Sequence, residues 1–285
     1  MSEKALQEPK AEEQLSLDDI REHYDHLAFF YQSLWGEHIH HGYWENAETP
    51  NSAQEKLVER LASLAGIKTG GRVLDVGCGL GGSALWLARN LNCSVLGLNL
   101  SPVQVAMATK KARDEGLDDR TEFRVLDAKH LGSLSESFDA VWVVECSEHL
   151  AYKERFISDC SRVLKRGGRL ALCAWLRAET LPAHDGEQLV AEVCKAMLCP
   201  HLASMQDYLL WMRASGLNPL KAEDITLKVK ETWVRAEEIV QRQEVKALIE
   251  AADDGTRRFV DAFTLMRRAF DGGAMAYGMF AAIKA

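Results

Sequence analysis

The chain has 285 residues, 47% of them hydrophobic and 27% charged, with a formal net charge of −8. That is ordinary globular composition, and its acidity argues against a broad nucleic-acid or anionic-membrane surface. No apolar run approaches the roughly 20 residues that a membrane-spanning helix needs.

The opening "MSEKALQEPKAEEQ" lacks the basic and apolar regions of a secretory leader, and 1–17 read as a disordered tail. Residues 18–66 form an N-terminal helical lid segment. It starts helical, passes through "HYDHLAFFYQSLWGEHIHHGYW", and closes with a helix over 52–65. Ser52 and Glu55 make a capping box for that helix, Leu57, Val58 and Leu61 its apolar face, and Gly66 its stop. Residues 67–178 alternate regularly between the two element types. Strands are expected at 72–77, 94–100, 121–128, 138–144 and 169–175, and helices at 83–91, from Ser101 to near Gly116, and at 152–164. Apolar strands alternating with helices predict an α/β fold whose parallel sheet is covered on both faces, with every strand-end loop on one edge. Residues 179–272 read as a helical cap with late sheet elements: helix over 180–215, strand over 217–227, helix over 230–270. Residues 273–285 are a final strand. Seven scattered cysteines, none in Cys-x-x-Cys spacing, fit buried reduced thiols and a cytoplasmic protein.

"LDVGCGLGG" (74–82) fits two glycine patterns. Gly77, Gly79 and Gly82 satisfy G-x-G-x-x-G, the dinucleotide fingerprint, while Gly77, Gly79 and Gly81 satisfy G-x-G-x-G. Asp75 decides between ligands. A pyrophosphate at this turn prefers helix N–H groups and no anion nearby, whereas a ligand carrying an ammonium and a sulfonium is drawn to a carboxylate. S-adenosylmethionine is favoured over NAD. Asn99 ends the second strand where an acid usually grips the ribose hydroxyls. Its amide both accepts and donates, so it serves the ribose more weakly or caps the turn beside Ser101. His38, His40 and His41 lack a downstream partner set with ligand spacing, so no metal is expected.

"VLDVGCGLGG", "VLGLNLSPVQ", "RVLDAKHL", "FDAVWVVECSEHL" and "RVLKRGGRLALCAW" follow in an order and spacing that resemble the class I S-adenosylmethionine-dependent methyltransferases. "WGEHIHHGYW", "ECSEHL" and "AFDGGAMAYGMFAA" resemble the γ-tocopherol methyltransferase-like group within them. The resemblance implies a Rossmann-like, mostly parallel sheet with an antiparallel C-terminal strand. It implies a site in which Gly77, Cys78 and Gly79 cradle the cofactor beside Asp75. Asp127, with Ala128, meets the adenine amino group, Leu100 packs on the adenine, and Gln104 reaches the methionine or ribose side. Glu145 and Cys146 border the methyl, and Tyr24 and Trp44 close over the cofactor. His41 and Trp44 line the acceptor mouth.

Methyl transfer is an in-line displacement on an already activated sulfonium, so alignment and water exclusion are the main tasks. An oxygen acceptor also needs a base. His149 is the candidate for base or substrate anchor, with Glu148 supporting it. The partner is a small molecule, with an apolar cap favouring a hydrophobic one. The acceptor atom (O, N or C) and the oligomeric state stay open. An NAD-dependent oxidoreductase and a non-catalytic cofactor-binding subunit are the alternatives.

Overall fold

The computed structural model describes residues 21, 22, 25, 36–250 and 254–285. The expected tail, Tyr24 and most of the early lid segment lie outside them. Helix α1 (Pro50–Ala65) begins at Pro50 rather than at Ser52. Thr49 caps it, accepting from the Ser52 N–H at 3.4 Å, and Pro50 fills the first helical position, where a missing N–H leaves no bond unmade. The Ser52–Glu55 pair therefore lies inside the helix and caps nothing.

The sheet has seven strands: β1 (Arg72–Val76), β2 (Ser94–Asn99), β3 (Thr121–Val125), β4 (Phe138–Val144), β5 (Leu164–Arg177), β6 (Leu217–Asp224) and β7 (Met275–Lys284). Their order is β3-β2-β1-β4-β5-β7-β6, and only β7 runs antiparallel to its neighbours. The expected strand over 121–128 stops at Val125, because Asp127 caps a 3₁₀ turn by accepting from the Lys129 N–H at 2.9 Å. β5 starts at Leu164, ahead of the expected 169. Its ladder jumps from Phe138–Leu164 to Ala140–Arg169, so the basic–glycine stretch forms a bulge within the strand.

Helices α2 (Gly82–Leu91), α3 (Pro102–Asp114) and α4 (Lys153–Val163) make the crossovers. The helix expected over 180–215 is split into α5 (Gly186–Ala196) and α6 (Met205–Ala214). Then come α7 (Thr226–Val229), α8 (Glu231–Val240), α9 (Gln243–Glu250) and α10 (Asp254–Asp271). Alternate strand residues serve opposite faces. Val73, Val95 and Trp142 pack with α1, α2, α5, α8 and α10, and Leu74, Leu96 and Val141 pack with α4 and α6. Met197, Trp233 and Phe263 belong to the first core, Tyr208 and Met212 to the second. The later helices thus complete both faces of the sheet, and these apolar cap residues are core. No described helix is long and apolar enough to cross a membrane.

Candidate active site

β1 runs into Gly77-Cys78-Gly79-Leu80-Gly81, and the three glycines have φ of 78°, 53° and 84°. Side-chain-bearing residues rarely adopt that backbone, so G-x-G-x-G is the pattern this turn uses. Gly82 serves another purpose: a Cβ there would stand 2.6 Å from the Glu37 carbonyl oxygen, where the N-terminal segment lies against the start of α2. A Cβ on Gly77 would stand 2.6 Å from Cys146 Sγ. The turn opens on a cleft at the carboxyl ends of β1 to β4. Gly77, Gly79, Asn99, Leu100, Gln104, Asp127, Ala128, Glu145, Cys146 and His149 all line it, as the spacing of the strands predicts.

Two carboxylates here are left incomplete. Asp75 is buried in β1, two residues ahead of the glycine turn, and is not itself among the residues on the cleft wall. Burial pushes its carboxyl up to about 7, and its Oδ2 has no hydrogen-bond partner. Asp127 Oδ1 accepts from the Lys129 N–H, while its buried Oδ2 has no hydrogen-bond partner, His130 Nδ1 standing 4.0 Å away. Orphaned buried acceptors are costly unless a ligand completes them. An ammonium and an exocyclic amino group, both present on S-adenosylmethionine, are donors of the right kind, and the residues fit that cofactor.

Asn99 explains itself. Its Oδ1 accepts from the Leu100 N–H at 2.8 Å, and its Nδ2 donates to the Gly79 carbonyl at 3.3 Å and to Gln104 Oε1 at 2.7 Å. An aspartate could make neither donation, so the amide fastens the glycine turn to α3 while standing on the cleft wall.

Glu145 has φ 51°, unusual for a residue with a side chain. Its carboxylate accepts from the His41 N–H at 2.8 Å, His41 Nδ1 at 3.0 Å, Trp175 Nε1 at 2.8 Å and the Tyr277 hydroxyl at 2.7 Å. Burial pushes this carboxyl up, but the His41 charge and these bonds outweigh it and hold the group down at about 2. Glu145 therefore lines the cleft, yet its oxygens are spent on tying the N-terminal segment to β5 and β7. The His41 ring sits among Trp175, Trp233, Phe270 and Tyr277, with centroids 5.1 to 5.9 Å away, and its Nε2 is buried without a partner.

His149 closes a short 3₁₀ turn, Ser147–His149, after β4. Its Nδ1 lies 3.0 Å from the Leu198 carbonyl. A carbonyl only accepts, so Nδ1 carries the hydrogen and the lone pair is on Nε2. Burial lowers the His149 pKa; the Leu198 carbonyl and Glu145 oppose this, and the Lys153 charge adds to it. Glu148, expected to support His149, is turned elsewhere. Its Oε1 accepts from the Trp175 N–H at 2.5 Å and its Oε2 from the Ser147 hydroxyl, which also bonds Tyr208 at 2.6 Å. In a 3₁₀ turn, consecutive side chains diverge by a third of a revolution, so neighbours 148 and 149 face different sides. Burial and the Glu145 charge push the Glu148 carboxyl up to about 8.

Two further expectations shift. Trp44 is not on the cleft wall: its Nε1–H donates to Thr232 Oγ1 at 2.9 Å and its backbone N–H to the Lys228 carbonyl, because the chain turns at Gly42 to pack on α8. The Cys78 thiol faces Gly97 in the sheet, where an added Cβ would stand 3.0 Å from it. His40 Nδ1–H donates to the His41 carbonyl at 2.8 Å, and its Nε2 accepts from His38 Nδ1–H at 3.0 Å. Among the described residues no group of three or more His, Cys, Asp or Glu could hold a metal ion. Sequence reasoning missed Ile39, Leu98, Leu126, Val144 and Leu150 on the cleft wall. All but Ile39 adjoin strand-end residues already singled out, which is the signal that would have found them.

Residues 74–172 match the methyltransferase domain family. The chain is 35% identical over 239 residues to the 27-O-demethylrifamycin SV methyltransferase of Amycolatopsis mediterranei, covering 82% of this chain and 87% of that protein. It is 28% identical over 280 residues to the chloroplastic tocopherol O-methyltransferase of Arabidopsis thaliana, covering 91% and 80%. Among solved structures, the [4+2]-cyclase SpnF superposes with a TM-score of 0.76 at 28% identity, covering 94% of this chain and 97% of that one.

Proposed function

The chain belongs to the class I S-adenosylmethionine-dependent methyltransferases of the tocopherol-like group, and from that premise we propose that it methylates a hydroxyl of a hydrophobic small molecule in specialised metabolism, with His149 as the base. Bound in the cleft, S-adenosylmethionine supplies an activated methyl on a sulfonium. Asp75 and Asp127 would hold its amino groups, and Asn99, Leu100 and Gln104 its nucleoside side. His149 would take the acceptor's proton at Nε2. The single observation that carries this is His149 on the cleft wall with its tautomer set by Leu198. An imidazole held neutral by burial is a base already in working form. The rifamycin relative, an O-acceptor enzyme by its name, and the apolar wall of Ile39, Leu126, Val144 and Leu150 support the same reading. Seven unbridged cysteines support a reducing compartment, the cytoplasm.

The test begins with calorimetric titration of S-adenosylhomocysteine and, separately, of NADH. Micromolar binding of the first and silence from the second is expected. Phenols and alcohols are then screened by methyl incorporation rather than acceptor loss, since one fold neighbour is a cyclase. His149→Ala should lose about a hundredfold or more in kcat with S-adenosylhomocysteine affinity intact. Full turnover by that variant would end the base role.

A further inference from the structure

Lys153 is a side chain in an adverse place. It is 2% exposed, and it opens α4, where the helix dipole disfavours a cation. Burial lowers its ammonium to about 8. What compensates is a pair of bonds: Nζ donates to the Leu150 carbonyl at 2.7 Å and to the Glu148 carbonyl at 3.2 Å. Those carbonyls belong to the residues on either side of His149. The ring itself is tethered by Leu198, whose φ of 54° is an uncommon backbone for a leucine. His149 is thus held at its ring, at the peptide that precedes it and through the carbonyl of the residue that follows it.

We propose that Lys153 is a positioning residue for His149: its ammonium clamps the carbonyls of the residues on either side of it and so fixes the turn that carries the imidazole. The inference rests on the reading of His149 as base. Among the described residues, the titratable groups around the pair are few. Glu145, beyond the end of β4, acts on His149 against Lys153. Glu148 on the same turn, with Cys194 and Cys199 at the end of α5, faces Lys153, and His201 feels its charge. Burial keeps Glu148 and both thiols toward their neutral forms. Glu145 is already shared among His41, Trp175 and Tyr277, and among the described residues Lys153 is the cation whose charge acts on His149.

The sign follows directly. A cation beside an imidazole favours the neutral ring. Removing it raises the His149 pKa, and the acid limb of the rate, which needs the free base, moves to higher pH.

The test is an NMR titration of the His149 ring in the S-adenosylhomocysteine complex, assigned with His149→Gln. Wild type, Lys153→Met and Lys153→Arg are compared. The midpoint should rise in Lys153→Met and return toward wild type in Lys153→Arg. In turnover, Lys153→Met should lose about tenfold to a hundredfold in kcat, the cost of a misplaced group, with cofactor KM unchanged. Wild type offers a second readout should Lys153→Met fail to fold: the His149 resonance should show a second, smaller inflection near pH 8, where Lys153 loses its proton. An unmoved midpoint in Lys153→Met, or in its absence a single wild-type inflection, overturns the clamp. A moved midpoint with unchanged turnover keeps the clamp and overturns the base.

Discussion

Asp75 and Glu145 are both buried carboxylates at the ligand-facing edge of one sheet, and their surroundings drive them in opposite directions. Asp75 has an oxygen with no donor, and burial raises it to about 7. Glu145 gathers donors from His41, Trp175 and Tyr277 and is held at about 2. Desolvation acts on both; the charge of His41 and the hydrogen bonds at Glu145 make the difference. A carboxylate that the fold has satisfied belongs to the scaffold, and one that the fold leaves incomplete belongs to the ligand.

The largest expected effect lies on the satisfied side. Glu145→Ala strands four donors on three residues, His41, Trp175 and Tyr277, and should cost about 3–5 kcal/mol of stability, read from urea unfolding. The pH dependence carries its own sign. The folded value of Glu145 lies below its unfolded one, so its stabilisation is present above the ordinary carboxylate range and lost as pH falls toward about 2. Glu145→Gln should flatten that part of the profile. An unfolding midpoint unchanged in Glu145→Ala would break the comparison at its stronger end.

Asp75 reverses the sign. Its folded value lies above its unfolded one, so the ligand-free protein loses stability as pH rises through about 7. Asp75→Asn should therefore stabilise the ligand-free protein by roughly 1–3 kcal/mol above that pH. The same substitution should weaken S-adenosylhomocysteine binding about tenfold to a hundredfold, the value of a charge-assisted bond. Wild-type affinity should fall as pH drops below about 7, and the variant's should not. Asn99→Asp is a milder test. It removes both donations, to Gly79 and Gln104, and should cost about 1–2 kcal/mol. A gain in cofactor affinity with no loss of stability would show that the ribose role outweighs the turn.

The strand-end residues were legible because topology dictates them. Once β1 to β4 are recognised as parallel, the residues after them must meet at one edge, and Gly77, Asn99, Asp127 and Glu145 do. What the sequence hid depends on phase or on distance. Glu148 and Ser147 diverge from His149 as neighbours on any helical turn do, and no side-chain pattern announced which of the three would face the cleft. Leu198 acts through a carbonyl and lies 49 residues from His149. Nothing in the sequence singles out Lys153, since the two carbonyls that hold it carry no sequence signal.

The smallest expected effect separates two neighbours in the N-terminal segment. His41 and Trp44 were expected to share the acceptor mouth, but the chain turns between them at Gly42, whose N–H bonds Thr232 Oγ1 at 3.0 Å. A Cβ on Gly42 would stand 2.6 Å from the Ala53 Cβ, so the turn is pressed hard against α1. It sends His41 to Glu145 and Trp44 to Thr232 on α8. Trp44→Phe keeps the ring packing and loses one buried hydrogen bond, a cost of about 1 kcal/mol. S-adenosylhomocysteine affinity and turnover should be unchanged, because nothing Trp44 touches lines the cleft. A tenfold loss of affinity would return Trp44 to the site and make the turn at Gly42 a hinge between two binding residues instead of the boundary between site and core.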